Sequence, residues 1–172
     1  GFHMETDWKE QFQHHKNSVH ENGWDHVKFN LCRNCIAFSI IHENPSTAID
    51  VSNSLNCSIF NCRIKGNTGQ NGFRCTGYST RNLFYNLIGG RAFYTYSISG
   101  YASGNVFHNC FSEGTSSIDC RGGLTIYNLF DNITGGTWVN GGSPENYQPA
   151  HACRLTIWNW KMGMTEPFEG RI

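Results

Sequence analysis

The sequence is poor in charged residues, and the few charges that it has cancel. Only 15% of its 172 residues are charged, with 13 basic against 13 acidic side chains. A protein that binds nucleic acid or an anionic membrane surface needs a surplus of Lys and Arg to neutralise phosphates. We therefore expect neither nucleic acid nor an anionic membrane as a partner.

Long apolar runs are also absent. No run approaches the roughly 20 residues that a membrane-spanning helix needs, so we predict no membrane span. Residues 1–22 lack the basic start, apolar stretch and small-residue cleavage site of a secretory signal. Cellular location therefore cannot be predicted from a targeting signal.

The composition favours a single all-β domain. Hydrophobic residues make up 38% of the chain, which is enough for a packed core. The chain contains 19 glycines, and Asn and Ser are also abundant. This combination is typical of many short strands separated by turns.

An internal repeat decides the predicted fold. A motif of apolar or aromatic residue, any residue, Asn, apolar residue recurs at intervals of 25, 23, 23 and 27, centred on Asn61, Asn86, Asn109, Asn132 and Asn159. Ser39 occupies the same place 22 residues before Asn61. A fixed period of this length indicates a solenoid, here of six to seven turns. We expect the repeated Asn side chains to stack in a column and to bond backbone groups of neighbouring turns.

A second strand precedes each motif. Its triplets have apolar outer members, which we expect to face inward, and mostly polar middle members, which we expect to face outward because side chains alternate along a strand. The triplets are Val27-Lys28-Phe29, Ile49-Asp50-Val51, Phe73-Arg74-Cys75, Tyr96-Ser97-Ile98 and Ile118-Asp119-Cys120. Their middle residues would form one vertical row on the outer surface.

The repeat resembles the pectate-lyase-like superfamily of right-handed parallel β-helices over about residues 23–160. Two segments, Asn-Gly-Trp-Asp at 22–25 and Gly-Gly-Ser-Pro-Glu-Asn at 141–146, look like those of uncharacterised bacterial β-helix proteins. The resemblance implies a lead-in over 1–22, a β-helix domain over 23–172 and an extracellular or periplasmic location. Since neither end offers an obvious capping turn, we expect a fragment whose ends are covered by additional turns or chains.

Members of this superfamily mostly cleave polysaccharides, and their active groove usually lies on the outward row of the first strand. On rungs ~4.8 Å apart, Lys28, Asp50 and Arg74 would form a ladder about 10 Å long that suits an acidic, uronate-containing sugar chain. By resemblance, Lys28 would act as the base of a polysaccharide lyase, Arg74 as the second catalytic cation, and Asp50 as an acidic residue that holds calcium. The predicted substrate-binding residues are His26, Asn30, Asp119, Arg121 and Trp138.

Other functions stay open. A glycoside hydrolase needs two carboxylates about 5–9.5 Å apart, whereas Asp50 and Asp119 are three rungs apart, or ~14 Å. A carboxylate from a turn, such as Glu113 or Glu145, would have to replace one of them. The charged row would be a surface salt-bridge ladder if the protein is a structural fibre of a phage or cell surface, and exposed aromatics such as Tyr101 would favour a non-catalytic carbohydrate-binding module.

The sequence does not predict a metal site. No full cluster of carboxylates supports calcium, and the early histidines, His14, His15 and His20, have no clear ligand spacing. Cys32-x-x-Cys35 lacks the second pair of a structural zinc site. We expect the eight cysteines to be reduced core residues, with Cys62 and Cys110 two turns apart and too distant for a disulfide.

Overall fold

The computed structural model describes residues 1–6, 24–140 and 154–163. These residues form fourteen strands and no helix, so none offers a helix that could cross a membrane. The strands are β1 (Phe2–Glu5), β2 (Asp25–Asn30), β3 (Ile36–Phe38), β4 (Ile40–Glu43), β5 (Thr47–Ser52), β6 (Ser58–Phe60), β7 (Arg63–Lys65), β8 (Asn71–Thr76), β9 (Leu83–Tyr85), β10 (Ile88–Gly89), β11 (Tyr94–Ser99), β12 (Val106–Arg121), β13 (Leu129–Asn140) and β14 (Thr156–Trp158).

Every strand pairing is parallel, and the strands stack into three faces of a solenoid. The first sheet contains β2, β5, β8 and β11, followed by the last parts of β12 and β13. The second sheet contains β3, β6 and β9, the first parts of β12 and β13, and β14. The third contains β1, β4, β7, β10 and the middle parts of β12 and β13. The predicted parallel β-helix is thus confirmed, with about five turns rather than six to seven.

The first strand belongs to the solenoid. Phe2–Glu5, part of the expected N-terminal lead-in over residues 1–22, pairs in register with Ile40–Glu43 of the third sheet. The expected boundary between 22 and 23, and the histidines at 14, 15 and 20, lie outside the described residues.

The core is a stack of buried side chains from successive turns. The rings of Phe84 and Phe107 stack with centroids 4.2 Å apart, and the ring of Phe130 continues the stack 4.9 Å from that of Phe107. On the first sheet, Phe73 and Tyr96 stack in the same way at 6.0 Å. Each turn buries its apolar residues between its own strands and against the neighbouring turns, as the Tyr96 and Phe107 rings show, so the repeat requires stacking.

The predicted Asn column exists, but it is not buried. The amide of Asn86 donates to Asn61 at 2.7 Å, that of Asn109 donates to Asn86 at 3.1 Å, and that of Asn132 donates to Asn109 at 3.0 Å. The bonds therefore join side chains, not the backbone groups that we predicted. These residues share a left-handed backbone with φ of 52–55°, which Asn tolerates better than most residues. Asn159 bonds to Asp131 instead of extending the column.

A second Asn ladder, which sequence analysis missed, is buried and bonds the backbone. It consists of Asn82, Asn105 and Asn128, each at most 2% exposed. Their amides donate to backbone carbonyls at 3.0–3.1 Å. Their carboxamide oxygens accept backbone N–H groups of the preceding turn at 2.8–3.0 Å. This ladder has the role that the sequence analysis gave to the outer column.

The seven described cysteines are free thiols, as predicted, whereas Cys153 lies outside the described residues. Five of them are buried. In register, Leu87 lies between Cys62 and Cys110, since Ile88 pairs with both Arg63 and Phe111. That pair is therefore two rungs apart, as expected.

Candidate functional site

The predicted outward row exists on the first sheet. Lys28, Asp50, Arg74, Ser97 and Asp119 occupy the same position on five consecutive rungs. The register follows from the inward-facing neighbours on either side of each residue, which are buried from the second rung onward. The row is therefore the surface on which to look for function.

Asp50 lies at the centre of an ion-pair cluster and is itself buried, at 1% exposure. Arg74 donates to both of its carboxylate oxygens, at 3.2 Å from Nε and 3.0 Å from Nη2. Lys28 Nζ lies 3.2 Å from Oδ2, and the Thr76 hydroxyl donates to Oδ1 at 3.2 Å. Lys28 also bonds Asp25 at 3.0 Å. Asp50 is thus covered and fully paired, not an open position on a ladder.

The cluster stabilises the protonated forms of its cations. Hydrogen bonding to Asp25 raises the pKa of Lys28, and this effect together with that of Asp50 outweighs the opposing desolvation. Burial disfavours the charged form of Arg74, but its bonds to Asp50 prevail and raise the pKa of Arg74 as well. A lysine that acts as a base at neutral pH needs a lowered pKa. The cluster therefore opposes the predicted role of Lys28.

A second charged pair lies two rungs beyond Arg74. Asp119 is 2% exposed and accepts a hydrogen bond from Arg121 on one oxygen. Its other oxygen, Oδ1, has no partner within the described structure. Burial raises the pKa of Asp119, and Arg121 only partly opposes this. The guanidinium of Arg121 lies 4.4 Å from the centre of the Tyr94 ring.

A groove of about 480 Å³ connects the two charged clusters. Its walls include Gln70, Asn71, Arg74, Ser97, Asp119 and Arg121. Glycines at 100, 122 and 123 also line it. Arg74 and Arg121, which are two rungs apart and offset by two residues along the strand, or ~12 Å from backbone to backbone, therefore border the same groove.

Sequence analysis missed Tyr94 because strand alternation fails there. Alternation would place Tyr94 on the same face as Tyr96, which is buried in the core. A register irregularity between these two residues places the Tyr94 ring beside Arg121 instead. A bulge of this kind reorients a side chain without leaving a signal in the hydrophobic pattern.

His26 does not join the outward row, which corrects the expectation that it lines the groove. Its ring stacks on buried His42 with centroids 5.5 Å apart, and the two Nδ1 atoms are 3.3 Å apart. Burial lowers the pKa of His26. Asp25, one residue earlier, contacts Lys28 instead.

The other predicted substrate-binding residues have different surroundings. Asn30 is exposed at the end of β2, beside Ser52 on the next rung. Asp119 and Arg121 border the groove, as described above. Trp138 lies in register with Ile118, but its side chain is outside the described part of the structure, as is the turn carboxylate Glu145.

The two carboxylates of the row, Asp50 and Asp119, are too far apart to act as the catalytic pair of a glycoside hydrolase. Asp50 and Asp119 are separated by two intervening rungs, Arg74 and Ser97, so they lie about 14 Å apart on the ladder spacing. Glu113, the turn carboxylate proposed as a substitute, pairs with Arg91 at 3.0 Å. Neither of these two residues lines the groove.

Metal-ligating groups do not converge on the groove. Among the described residues, the set of His, Cys, Asp and Glu side chains close enough to share an ion is His3, Glu5 and Glu43. These residues lie on β1 and β4 of the third sheet. Asp50 does not belong to this set of potential metal ligands, although we expected it to hold calcium. Its carboxylate oxygens instead bond Lys28, Arg74 and Thr76.

Comparison with protein-family models, with curated proteins and with solved structures found no match for this chain.

Proposed function

We propose that the protein is a carbohydrate-active β-solenoid that binds an acidic polysaccharide in the groove on its first sheet. The observation that carries the proposal is the placement of two arginines, Arg74 and Arg121, on one groove. A guanidinium has five N–H donors, and Arg74 uses its Nε and Nη2 on Asp50. Its remaining donors suit the carboxylate of a uronate, for which Arg has a matching planar geometry.

The groove would recognise its ligand by directed hydrogen bonds more than by net attraction. Three cations, Lys28, Arg74 and Arg121, are balanced by three carboxylates, of which Asp50 and Asp119 are buried. Long-range attraction to a polyanion is weak when local charges cancel. We therefore expect binding to depend only modestly on salt concentration.

The reaction class that we propose is elimination, as in a polysaccharide lyase. Such a reaction needs a cation at the uronate carboxylate, a base for the proton at C5 and an acid near the leaving oxygen. Arg74 and Arg121 suit the first role. Asp119 suits the acid, because its pKa is raised and its free Oδ1 has no competing partner in the described structure. Lys28 lies four rungs, or ~19 Å, from Asp119 on the ladder spacing, so the two cannot act on the same glycosidic bond. With Asp119 as the acid, the base has to come from another group.

The test combines binding and product analysis. The protein is incubated with polygalacturonate, with alginate and with a neutral glucan, and ultraviolet absorbance and reducing ends are followed. An increase in both on an acidic polymer supports the lyase; reducing ends alone indicate a hydrolase; retention without products indicates a binding module. Absence of binding to all three polymers would contradict the proposal.

A matched pair of variants assigns any binding to the groove. Arg121→Gln keeps a side chain that can bond Asp119 and should weaken retention on the acidic polymer at least tenfold, the loss expected for about 1.4 kcal/mol. Arg63→Ala removes an exposed cation from the third sheet and should leave retention unchanged.

A structural role is the second candidate, and a specific surface favours it. The outer face of the second sheet exposes several large apolar side chains, namely Ile36, Phe38, Leu83, Tyr85 and Trp158. Contiguous exposed apolar surface is typical of interfaces. Sedimentation analysis that finds a stable oligomer, together with no binding to any polymer, would favour a fibre or assembly component.

A further inference from the structure

The sequence motif Cys32-x-x-Cys35 has no second cysteine pair to complete a zinc site. In the fold, a third cysteine, Cys57, lies beside it on the next rung. Arg33 pairs with Leu55 and Ile36 pairs with Ser58, so Cys35 and Cys57 lie directly opposite each other on neighbouring rungs. The bond from Ser58 N–H to the Cys35 carbonyl, 2.9 Å long, fixes this register. Neighbouring rungs are ~4.8 Å apart, within the Cα separation of about 4.4–6.8 Å that disulfides adopt.

The two thiols also have the same orientation. Cys35 Sγ donates to the Arg33 carbonyl at 3.6 Å, and Cys57 Sγ donates to the Leu55 carbonyl at 3.5 Å. Since Arg33 and Leu55 are partners in the ladder, equivalent bonds stack one sulfur above the other.

No other two of the seven described cysteines share a register position on neighbouring rungs. Leu87 separates Cys62 from Cys110, and Ile98 separates Cys75 from Cys120. Two rungs span ~9.6 Å, beyond the ~7 Å limit on Cα separation for a disulfide. Cys32 lies opposite Ser54, whose hydroxyl accepts its N–H at 3.0 Å.

We propose that Cys35 and Cys57 are a disulfide-forming pair that covalently links the first two complete turns of the solenoid. The reaction is thiol–disulfide exchange with a small disulfide such as oxidised glutathione. Cys35, the more exposed of the two thiols, attacks as the thiolate and releases one glutathione thiolate. Cys57 then attacks the mixed disulfide at the Cys35 sulfur and releases the second glutathione, whose departing thiolate takes up the Cys57 proton. Two protein thiols are oxidised and one glutathione disulfide is reduced.

The disulfide would join two residues that are 22 positions apart in the chain and lie on the first and second turns of the solenoid. In the first two sheets, the strands of the first turn, β2 and β3, have a paired neighbour on only one side among the described residues, so this part of the turn should open most readily. A covalent link to the second turn restrains this opening, because it limits the conformations of the unfolded segment. This device is independent of the polysaccharide groove, which lies on later rungs.

The experiment equilibrates the folded protein with oxidised glutathione, blocks remaining thiols with an alkylating reagent and maps the peptides by mass spectrometry. We expect a linked pair of peptides containing Cys35 and Cys57, lighter by two hydrogen atoms than the reduced pair. The midpoint of urea unfolding should rise on oxidation. The linked peptides and the rise in the urea midpoint should both be absent from the Cys35→Ser variant. Both should remain in the control variant Cys110→Ser, because Cys110 has no other thiol at its register position on a neighbouring rung.

Circular dichroism of each variant checks that it is folded before oxidation. Complete alkylation of Cys35 and Cys57 after this treatment would overturn the proposal. A dominant bridge between any other two cysteines, or a mixture of linkages, would overturn it as well.

Discussion

The buried Asn ladder should contribute far more stability than the exposed one, and Asn105 tests this. Its side chain makes four hydrogen bonds: the amide donates to the Ser79 carbonyl and to Asn128 Oδ1, both at 3.1 Å, and its oxygen accepts from Asn82 N–H and Asn82 Nδ2, both at 3.0 Å. Asn105→Ala removes all four inside a side-chain column that is fully buried.

The expected loss follows from which groups keep a partner. The Ser79 carbonyl retains a bond from Ser103 N–H, and Asn128 Oδ1 retains one from Asn105 N–H. The Asn82 N–H loses the acceptor that the structure gives it. A buried donor left unpaired costs about 1–3 kcal/mol, and each other lost bond contributes about 0.5–1.5 kcal/mol. We expect Asn105→Ala to lower the free energy of unfolding by about 3–5 kcal/mol.

The control removes the equivalent contacts from the outer column. Asn109→Gly loses two side-chain bonds to partly exposed amides that water can replace. Glycine also accepts the left-handed backbone at this position, where φ is 55°. We expect a loss of about 1 kcal/mol.

Urea unfolding followed by circular dichroism measures both variants, with the free energy obtained by linear extrapolation. Equal losses for the two variants would refute the distinction between a buried, backbone-bonding ladder and an exposed one. A loss below 1 kcal/mol for Asn105→Ala would show that the interior column is dispensable.

Three further predictions concern charge, pH and packing. Arg74→Met should lower the free energy of unfolding by about 3–5 kcal/mol because it leaves the buried Asp50 carboxylate without its bidentate partner. Lys28→Met should lower it by about 1 kcal/mol or less, and the midpoints of urea unfolding of the two variants measure the difference. Desolvation lowers the pKa of His42 to about 3, so below pH 6.5 the unfolded chain binds a proton on this residue that the folded chain does not. The contribution of neutral His42 to the free energy of unfolding is therefore fully present above pH 6.5 and is lost as pH falls towards 3. His42→Phe should flatten this part of the stability profile. Phe107→Ala should cost about 3–5 kcal/mol in thermal or urea unfolding because it opens a cavity in the middle of the ring stack; a cost below 1 kcal/mol would show that the stack repacks.

Sequence periodicity predicted the architecture because a solenoid repeats the same local environment once per turn. The motif centred on Asn86 and Asn109 set the register of the second and third sheets, and the triplets around Asp50 and Arg74 set that of the first. Both registers hold in the structure. What the pattern missed is the column of Asn82, which spans only three turns and continues through cysteines in the turns before it.

The direction of a side chain could be predicted, but its burial could not. Asp50 points to the outer side of its strand, as the pattern requires. It is nevertheless buried, because Lys28 and Arg74 from the neighbouring rungs close over it. The burial of Asp50 thus depends on residues more than 20 positions away in the chain.

The sequence alone determined that this protein is a stack of parallel β turns, which residues occupy each rung and which thiols are too far apart to pair, because all three follow from the period of the repeat. Only the tertiary structure decided that Tyr94 faces Arg121 and that His26 faces His42. Both contacts depend on where strand alternation breaks. Neither break leaves a trace in the spacing of apolar residues.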